Sequence, residues 1–296
     1  MGDAGEQTSF EFQEEALMTD EVPSSPDDRS RLSLLLEVAE ARAADLKREL
    51  AAAETETELL SKLVEFVRRD WPIHQCHAMD ANADFLKALR RQNADEGELL
   101  ESIYRSAHAR AKRNSSTFPG QIEKAAKAAG LPLNMELSRH PDYYFHGRFF
   151  KVHVDDARGR AKVSTSEGEL GSVDADAAAV VERLQAEEAR VFGQKVVARS
   201  FMALVRKAYL AEVRKAGEAS GAAVPIRKVI NQMKSNDKKF KSDAFLAALA
   251  QLIAAGKTAI DGYVMDLQQI KGSGEGVLLP GLEDKGYLGY IIFKKG

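Results

Sequence analysis

Residues 224–256, VPIRKVINQMKSNDKKFKSDAFLAALAQLIAAG, decide how the chain is read. Pro225 suits the first turn of a helix, where its missing N–H is no loss. Ile226, Val229, Ile230 and Met233 follow at helical spacing as far as Lys234. Ser235-Asn236-Asp237 breaks that helix. Ser242 or Asp243 then caps a second one, whose stripe is Phe245, Leu249, Leu252 and Ile253 and which stops before Gly256. Its other face reads Ala244, Ala247, Ala248, Gln251 and Ala254, and is expected to point outward. Downstream, 258–267 and 287–294 have strand composition and flank a loop carrying Gly272, Gly274, Gly276, Gly281 and Gly286. Strict alternation in the last strand puts Leu288, Tyr290 and Ile292 on one face and Tyr287, Ile291 and Phe293 on the other.

This order of helices, strand, glycine-rich loop and returning strand, with 195–216 as a preceding helix, resembles the winged helix-turn-helix superfamily. The resemblance is one of element order, covers 194–296 only, and extends to no family for the whole chain. It implies that 242–255 takes the recognition-helix slot. Reading base edges needs Arg, Lys, Asn or Gln on the exposed face of that helix, and only Gln251 qualifies. The cations sit just ahead of it, at Lys234, Lys238, Lys239 and Lys241. Lysines around a helix N-terminus suit phosphate, which positions a protein without specifying sequence. The expected contact is therefore sequence-nonspecific DNA, or another protein docked on the alanine face. Winged helices take the latter role in accessory subunits of large DNA-handling ATPases.

Working outward, 217–223 (GEASGAA) is either an interdomain linker or the loop between the first two helices of such a module. Before it, 195–216 carries a stripe of Val197, Phe201, Leu204, Val205, Ala208 and Tyr209. The period is two over 143–146, 149–155, 160–166 and 168–173: Phe150, Val152 and Val154 alternate with Lys151, His153 and Asp155, and Ala161, Val163 and Thr165 share a side. This is an antiparallel meander that needs a helix on one face. Asp174 is expected to cap the helix that follows, through Phe192. Earlier still, helices are expected over 83–91, 96–112 and 119–129. Asn114–Thr117 reads as a capping loop between the last two, and Gly130 as the C-terminal stop.

From 36 to 71 the pattern is a heptad register. Leu36, Ala39, Ala43, Leu46, Leu50, Ala53, Thr57, Leu60, Val64, Val67 and Trp71 fall at alternating spacings of three and four, flanked mainly by charge. Leu36, Leu46, Leu50, Leu60, Val64 and Val67 are the expected oligomerisation residues of a coiled coil. A hairpin with another long helix of the chain is the alternative, and self-association is preferred. Residues 1–30 hold nine acids against Arg29 alone, whereas 194–296 hold seventeen Lys and Arg against nine Asp and Glu. The acidic arm is expected to be disordered, and the basic end to favour a polyanion or acidic surface.

With 44% hydrophobic residues, the 296-residue chain is globular in composition and has no apolar run long enough for a bilayer. The start lacks the basic and apolar regions of a signal peptide, and Glu6 leaves the myristoylation pattern unfilled, so a cytoplasmic location is expected. A single cysteine, Cys76, fits a reducing compartment. His74-Gln75-Cys76-His77 offers metal ligands but needs help from His108, His140, His146 or His153 to complete a zinc site. Gly272-Ser273-Gly274-Glu275-Gly276 lacks the Gly-Lys-Ser/Thr ending of a phosphate loop. His140, Asp142, His146 and His153 carry no hydrolase motif with them.

The reading is an α+β, mainly α protein: acidic tail 1–30, coiled-coil helix 31–72, central domain 73–193 and winged-helix-like domain 194–296. The expected function is a non-catalytic adaptor or scaffold in a nucleic-acid-associated complex. It would be homo-oligomeric, with a protein partner or nonspecific DNA, no membrane, and no cofactor or metal. The alternatives are a DNA-binding regulator dimerised by the coiled coil and a metal-dependent hydrolase using the central histidines.

Overall fold

A computed structural model describes residues 26–271, 276–282 and 286–296. Its first element is a 43-residue helix, α1 (Pro26–Arg68). Pro26 stands where a missing N–H costs nothing, and Asp27 and Asp28 put negative charge on the positive end of the helix dipole. Helix thus replaces the expected disorder from residue 26 onward, and the rest of the acidic arm lies outside the described residues. The chain divides into two units, Met1–Leu60 and Ser61–Gly296.

In the first unit α1 keeps its heptad stripe exposed, with Leu36, Leu46 and Leu50 all more than half accessible. In the second, Val64 and Val67 also stay exposed, as does Leu60 at the end of the first. Burial falls instead one position earlier, on Leu59 and Leu63. The register also ends sooner than expected. Asp70 turns the backbone left-handed (φ 57°), and Trp71 lies beyond the helix, buried and stacked on Phe66 at 6.1 Å.

After the end of α1, the second unit continues with α2 (Pro72–Ala81), α3 (Ala83–Gln92) and α4 (Ala94–Ala111), which pack on one another. Next comes α5 (Asn114–Ala129), and the expected loop over 114–117 is its first turn. Ser116 and Thr117 donate their hydroxyls to the Arg113 carbonyl (2.8 and 3.1 Å) rather than capping a later start. Pro119 therefore sits inside the helix, where it removes one hydrogen-bond donor. Gly130, left-handed at φ 71°, ends it as expected.

The meander is β1 (Asp142–Phe145), β2 (Phe150–Asp155), β3 (Arg160–Thr165) and β4 (Gly168–Asp174), in sequential antiparallel order. Tyr143, Val152 and Val163 stand opposite one another across three strands. They face a core built with Phe118 and Ile122 of α5 and Val180 and Leu184 of α6 (Ala177–Phe192). The alternation works because only one sheet face is covered: Phe150, Val152 and Val154 are buried, and His153 is exposed.

Asp176, not Asp174, is the N-cap of α6. Its buried carboxylate caps a different helix, accepting the amides of Ile73 (3.1 Å) and His74 (2.9 Å) in the first turn of α2. One acid thereby satisfies two orphan donors and ties α2 to the sheet–helix corner.

The C-terminal elements are α7 (Ala198–Ala216), β5 (Val224–Pro225), α8 (Ile226–Asn236), α9 (Ser242–Ala254), β6 (Ala259–Ile260), β7 (Tyr263–Ile270) and β8 (Tyr287–Lys295). The sheet order is β5-β8-β7-β6, all antiparallel. On α7 the buried stripe is Met202, Val205, Ala208, Tyr209 and Val213, while Val197 and Leu204 are exposed. The 217–223 segment is the α7–β5 loop, pinned by Tyr209, whose hydroxyl donates to the Ala222 carbonyl (2.8 Å) and accepts from the Gly221 amide (3.2 Å).

The expected strand over 258–267 is a hairpin, because Asp261 and Gly262 both take positive φ (47° and 75°) and turn β6 into β7. The last strand changes phase. Its register shifts opposite Gln268 and Gln269, so Gly289 becomes an extra residue. A Cβ there would meet Ile270 at 2.3 Å. Leu288 consequently shares a core with Ile291 and Phe293 instead of facing away from them.

Among the described residues helix accounts for 59% and strand for 18%, so the architecture is mainly helical with two small antiparallel sheets. Among the described residues no helix is long and apolar enough to cross a membrane.

Candidate nucleic-acid interface

The four lysines named from the sequence cluster where α8 meets α9. Lys234 lies in the last turn of α8, Lys238 and Lys239 lie in the turn that follows, and Lys241 is the N-cap of α9. All four are exposed, and none has an ion-pair partner among the described residues. Lys234 and Lys241 border a cleft of about 450 Å³ that lies between this turn, α6 and the start of β4.

The carboxylates in that cleft are already matched. Glu167 pairs with Arg227 (3.0 Å), Glu169 with Lys162 (2.6 Å), Glu187 with both Arg183 (2.5 Å) and Arg190 (2.6 Å), and Asp243 with Arg190. Donation of a hydrogen bond to the Asp243 carboxylate raises the Arg190 pKa further; burial opposes this and Glu187 adds to it, so the guanidinium stays charged. Asp237 is the one acid inside the turn, and it accepts the Lys239 amide (2.8 Å). The lysine charge is thus uncompensated at the mouth of a cleft whose interior is balanced.

The alanine face of α9 is not free. Ala247 is fully buried, and it belongs to the core of α6 and the meander rather than to that of its own sheet. Ala244 and Ala248 are half-buried, leaving Gln251 and Ala254 exposed. The residues expected to dock a second protein therefore pack against α6, and the Arg190–Asp243 pair closes the seam. Nor does Asp243 cap the helix in the expected way, since its carboxylate holds Arg190 and the adjacent Ala244 amide (2.8 Å). Ser242 Oγ is buried and has no hydrogen-bond partner. Gln251 sits about 14 Å farther along the helix at 1.5 Å per residue, separate from the lysine turn.

Arg190 and Glu187 are the members of this surface that the sequence did not single out, and the sequence marks Asp243 only as a helix cap. Arg190 and Glu187 look like ordinary solvated charges on α6 until α9 is placed against them.

The central histidines do not assemble. His140 Nε2 lies 2.6 Å from Asp156, and His153 Nδ1 lies 2.8 Å from Asp142. His146 Nε2 is 2.7 Å from Glu188, an ion-pair approach without hydrogen-bond geometry. Each thus has its own carboxylate. His74 and His77 do converge on Asp176 (2.6 Å) and Asp174 (2.9 Å), but Arg160 and two backbone amides already fill those acids. Among the described residues no group of three or more His, Cys, Asp or Glu is placed to hold a metal ion. Of the glycine-rich run, residues 272–275 lie outside the described residues.

Burial, helped by Asp80 and Asp176, pushes the Cys76 thiol up to about 11 from 9.0. Two pH units cut the thiolate fraction about a hundredfold near neutrality, and the thiolate is the nucleophile. At pH 8 the native thiol should react with a maleimide or aromatic disulfide at least about a hundredfold more slowly than in the denatured chain. A native rate within tenfold of the denatured one would contradict the burial. The same shift sets a sign for stability: the folded state holds its proton more tightly, so this contribution is intact below pH 9 and is lost as pH climbs toward 11.

No protein-family model matches the chain, and comparison with curated proteins and with solved structures yields no match.

Proposed function

We propose that the chain is a non-catalytic adaptor or scaffold subunit of a nucleic-acid-associated complex. In this reading 194–296 is a winged-helix-like module, supported by the order α7-β5-α8-α9-β7-β8 and the pairing of β8 between β5 and β7. The module meets nucleic acid through the α8–α9 turn, and α1 joins copies of the chain through its exposed heptad face. The buried, unpaired Cys76 suits a reducing, cytoplasmic setting.

The observation that carries the reading is the uncompensated charge of Lys234, Lys238, Lys239 and Lys241. Charge without base-reading side chains gives backbone contact that ignores sequence. A sequence-reading regulator would need α9 to enter a groove on its alanine face, and Ala247 is occupied there by α6. Protein docking on that face loses its ground for the same reason. The test is binding of a labelled duplex to the full chain, with all four lysines changed to Gln in a second sample. Unrelated duplexes of equal length should compete equally, and Gln251→Ala should bind like the parent. One preferred sequence, tighter by about a thousandfold and lost in Gln251→Ala, would replace this reading with a regulator.

A further inference from the structure

We propose that the exposed face of α1 pairs with a second copy of this chain in antiparallel orientation, centred between Ala44 and Asp45. The inference rests on the reading that α1 self-associates, and adds its direction and register. Two independent features of 32–57 select them. The first is size. With Leu32 extending the register by one position, the seam runs as pairs of large and pairs of small residues in turn: Leu32 and Leu36, Ala39 and Ala43, Leu46 and Leu50, Ala53 and Thr57. Antiparallel pairing about that centre sets Leu36 against Ala53, Ala43 against Leu46, Leu50 against Ala39 and Thr57 against Leu32 of the second copy. Every layer is then one large residue on one small one, which lets the backbones approach closely without voids. A parallel, in-register pair would stack Leu on Leu and Ala on Ala instead.

The second feature is charge. In the antiparallel arrangement like-named flanks meet. Arg42 comes opposite Glu49 of the second copy, and Glu40 opposite Lys47, each pair occurring twice by symmetry. Glu54 and Glu56 meet Ser33 and Leu35, so no like charges face each other. Parallel pairing would instead oppose Arg42 to Lys47 and Glu49 to Glu54, both repulsive. Sliding the antiparallel pair by one heptad puts Leu on Leu and Ala on Ala; sliding toward the C-terminus by two puts Glu49 on Glu56. Glu40, Arg42, Lys47, Glu49 and Glu54 are exposed and have no ion-pair partner within the chain among the described residues. Leu32, Leu36, Leu46 and Leu50 are all more than half accessible. The overlap is about 39 Å at 1.5 Å per residue, and it stops short of Leu59 and Leu63, which are buried already.

The experiment uses the full chain carrying Thr55→Cys as the only labelled site, with Cys76→Ala to remove the native thiol. Antiparallel pairing about this centre brings residue 55 opposite residue 34. Two spin labels are then offset by about 32 Å along the axis, whereas parallel chains hold them within roughly 20 Å. Glu49→Arg should weaken self-association about tenfold or more, because it meets Arg42, and adding Arg42→Glu should restore it. In a parallel pair the same Glu49→Arg would meet Glu54 and tighten the dimer. A short label distance, or a dimer tightened by Glu49→Arg, overturns the antiparallel register while leaving self-association standing. A monomer by light scattering at micromolar concentration overturns both.

Discussion

Ala247→Arg should lower the stability of the full chain by about 3 kcal/mol or more, since it forces a long charged side chain into a buried seam. Ala247 is fully buried among core residues of α6 and the meander, and a close-packed core has no room for the added atoms. At roughly 2–4 °C per kcal/mol for a unit of this size, the midpoint should fall about 6–12 °C. Ala254→Arg supplies the control. It lies on the same predicted face of α9 but is exposed, so it should change stability by no more than a few tenths of a kcal/mol. Equal, small effects of both substitutions in thermal or denaturant melts would mean that α9 does not pack on α6 in solution.

Asp176→Ala should have an effect of similar size by a different route. The carboxylate accepts one buried and one part-buried amide and stands 2.6 Å from His74 Nδ1. Removing a helix cap costs about 0.5–2 kcal/mol, and charged hydrogen bonds are worth about 1.5–3 kcal/mol each. Because these share one acceptor they do not add, and a loss of about 3 kcal/mol is expected. Asp176→Asn keeps the shape and an acceptor oxygen, so it should recover a clear part of that loss. Hydrogen exchange should locate the damage at the amides of Ile73 and His74. An Asp176→Ala protein as stable as the parent, with those amides still protected, would contradict the cap.

The features legible in the sequence are those set by local pattern. Phe150, Val152, Val154, Ala161 and Val163 alternate because one face of a meander is covered, and the period survives without knowledge of what covers it. Gly130 marks a helix end because the left-handed backbone there excludes most side chains. The lysine turn is visible as charge that no neighbour in sequence balances. What was missed depends on contacts between distant segments. Alanine on a helix looks the same whether it faces solvent or a neighbouring helix, so the packing of Ala247 on α6 left no local trace. Asp174 and Asp176 are two residues apart in a run suited to capping, and only the position of α2 shows which acid caps what. The phase change at Gly289 inverted the facing of Leu288, as a one-residue bulge must in a pattern of period two. Ser and Thr near Asn114 resembled a capping loop because their hydroxyls serve equally well bonded back to the Arg113 carbonyl.

The central claim is that the α8–α9 turn meets a polyanion by charge alone, and the salt dependence of duplex binding tests it most directly. Each phosphate neutralised on duplex DNA contributes about −0.9 to the slope of log affinity against log salt. If Lys234, Lys238, Lys239 and Lys241 engage together, the full chain should show a slope of roughly −3 to −4 per protomer. Changing the four lysines to Gln should remove most of it without altering the melting profile. A slope that persists in the four-lysine variant, or no binding by the parent even at low salt, would contradict the account.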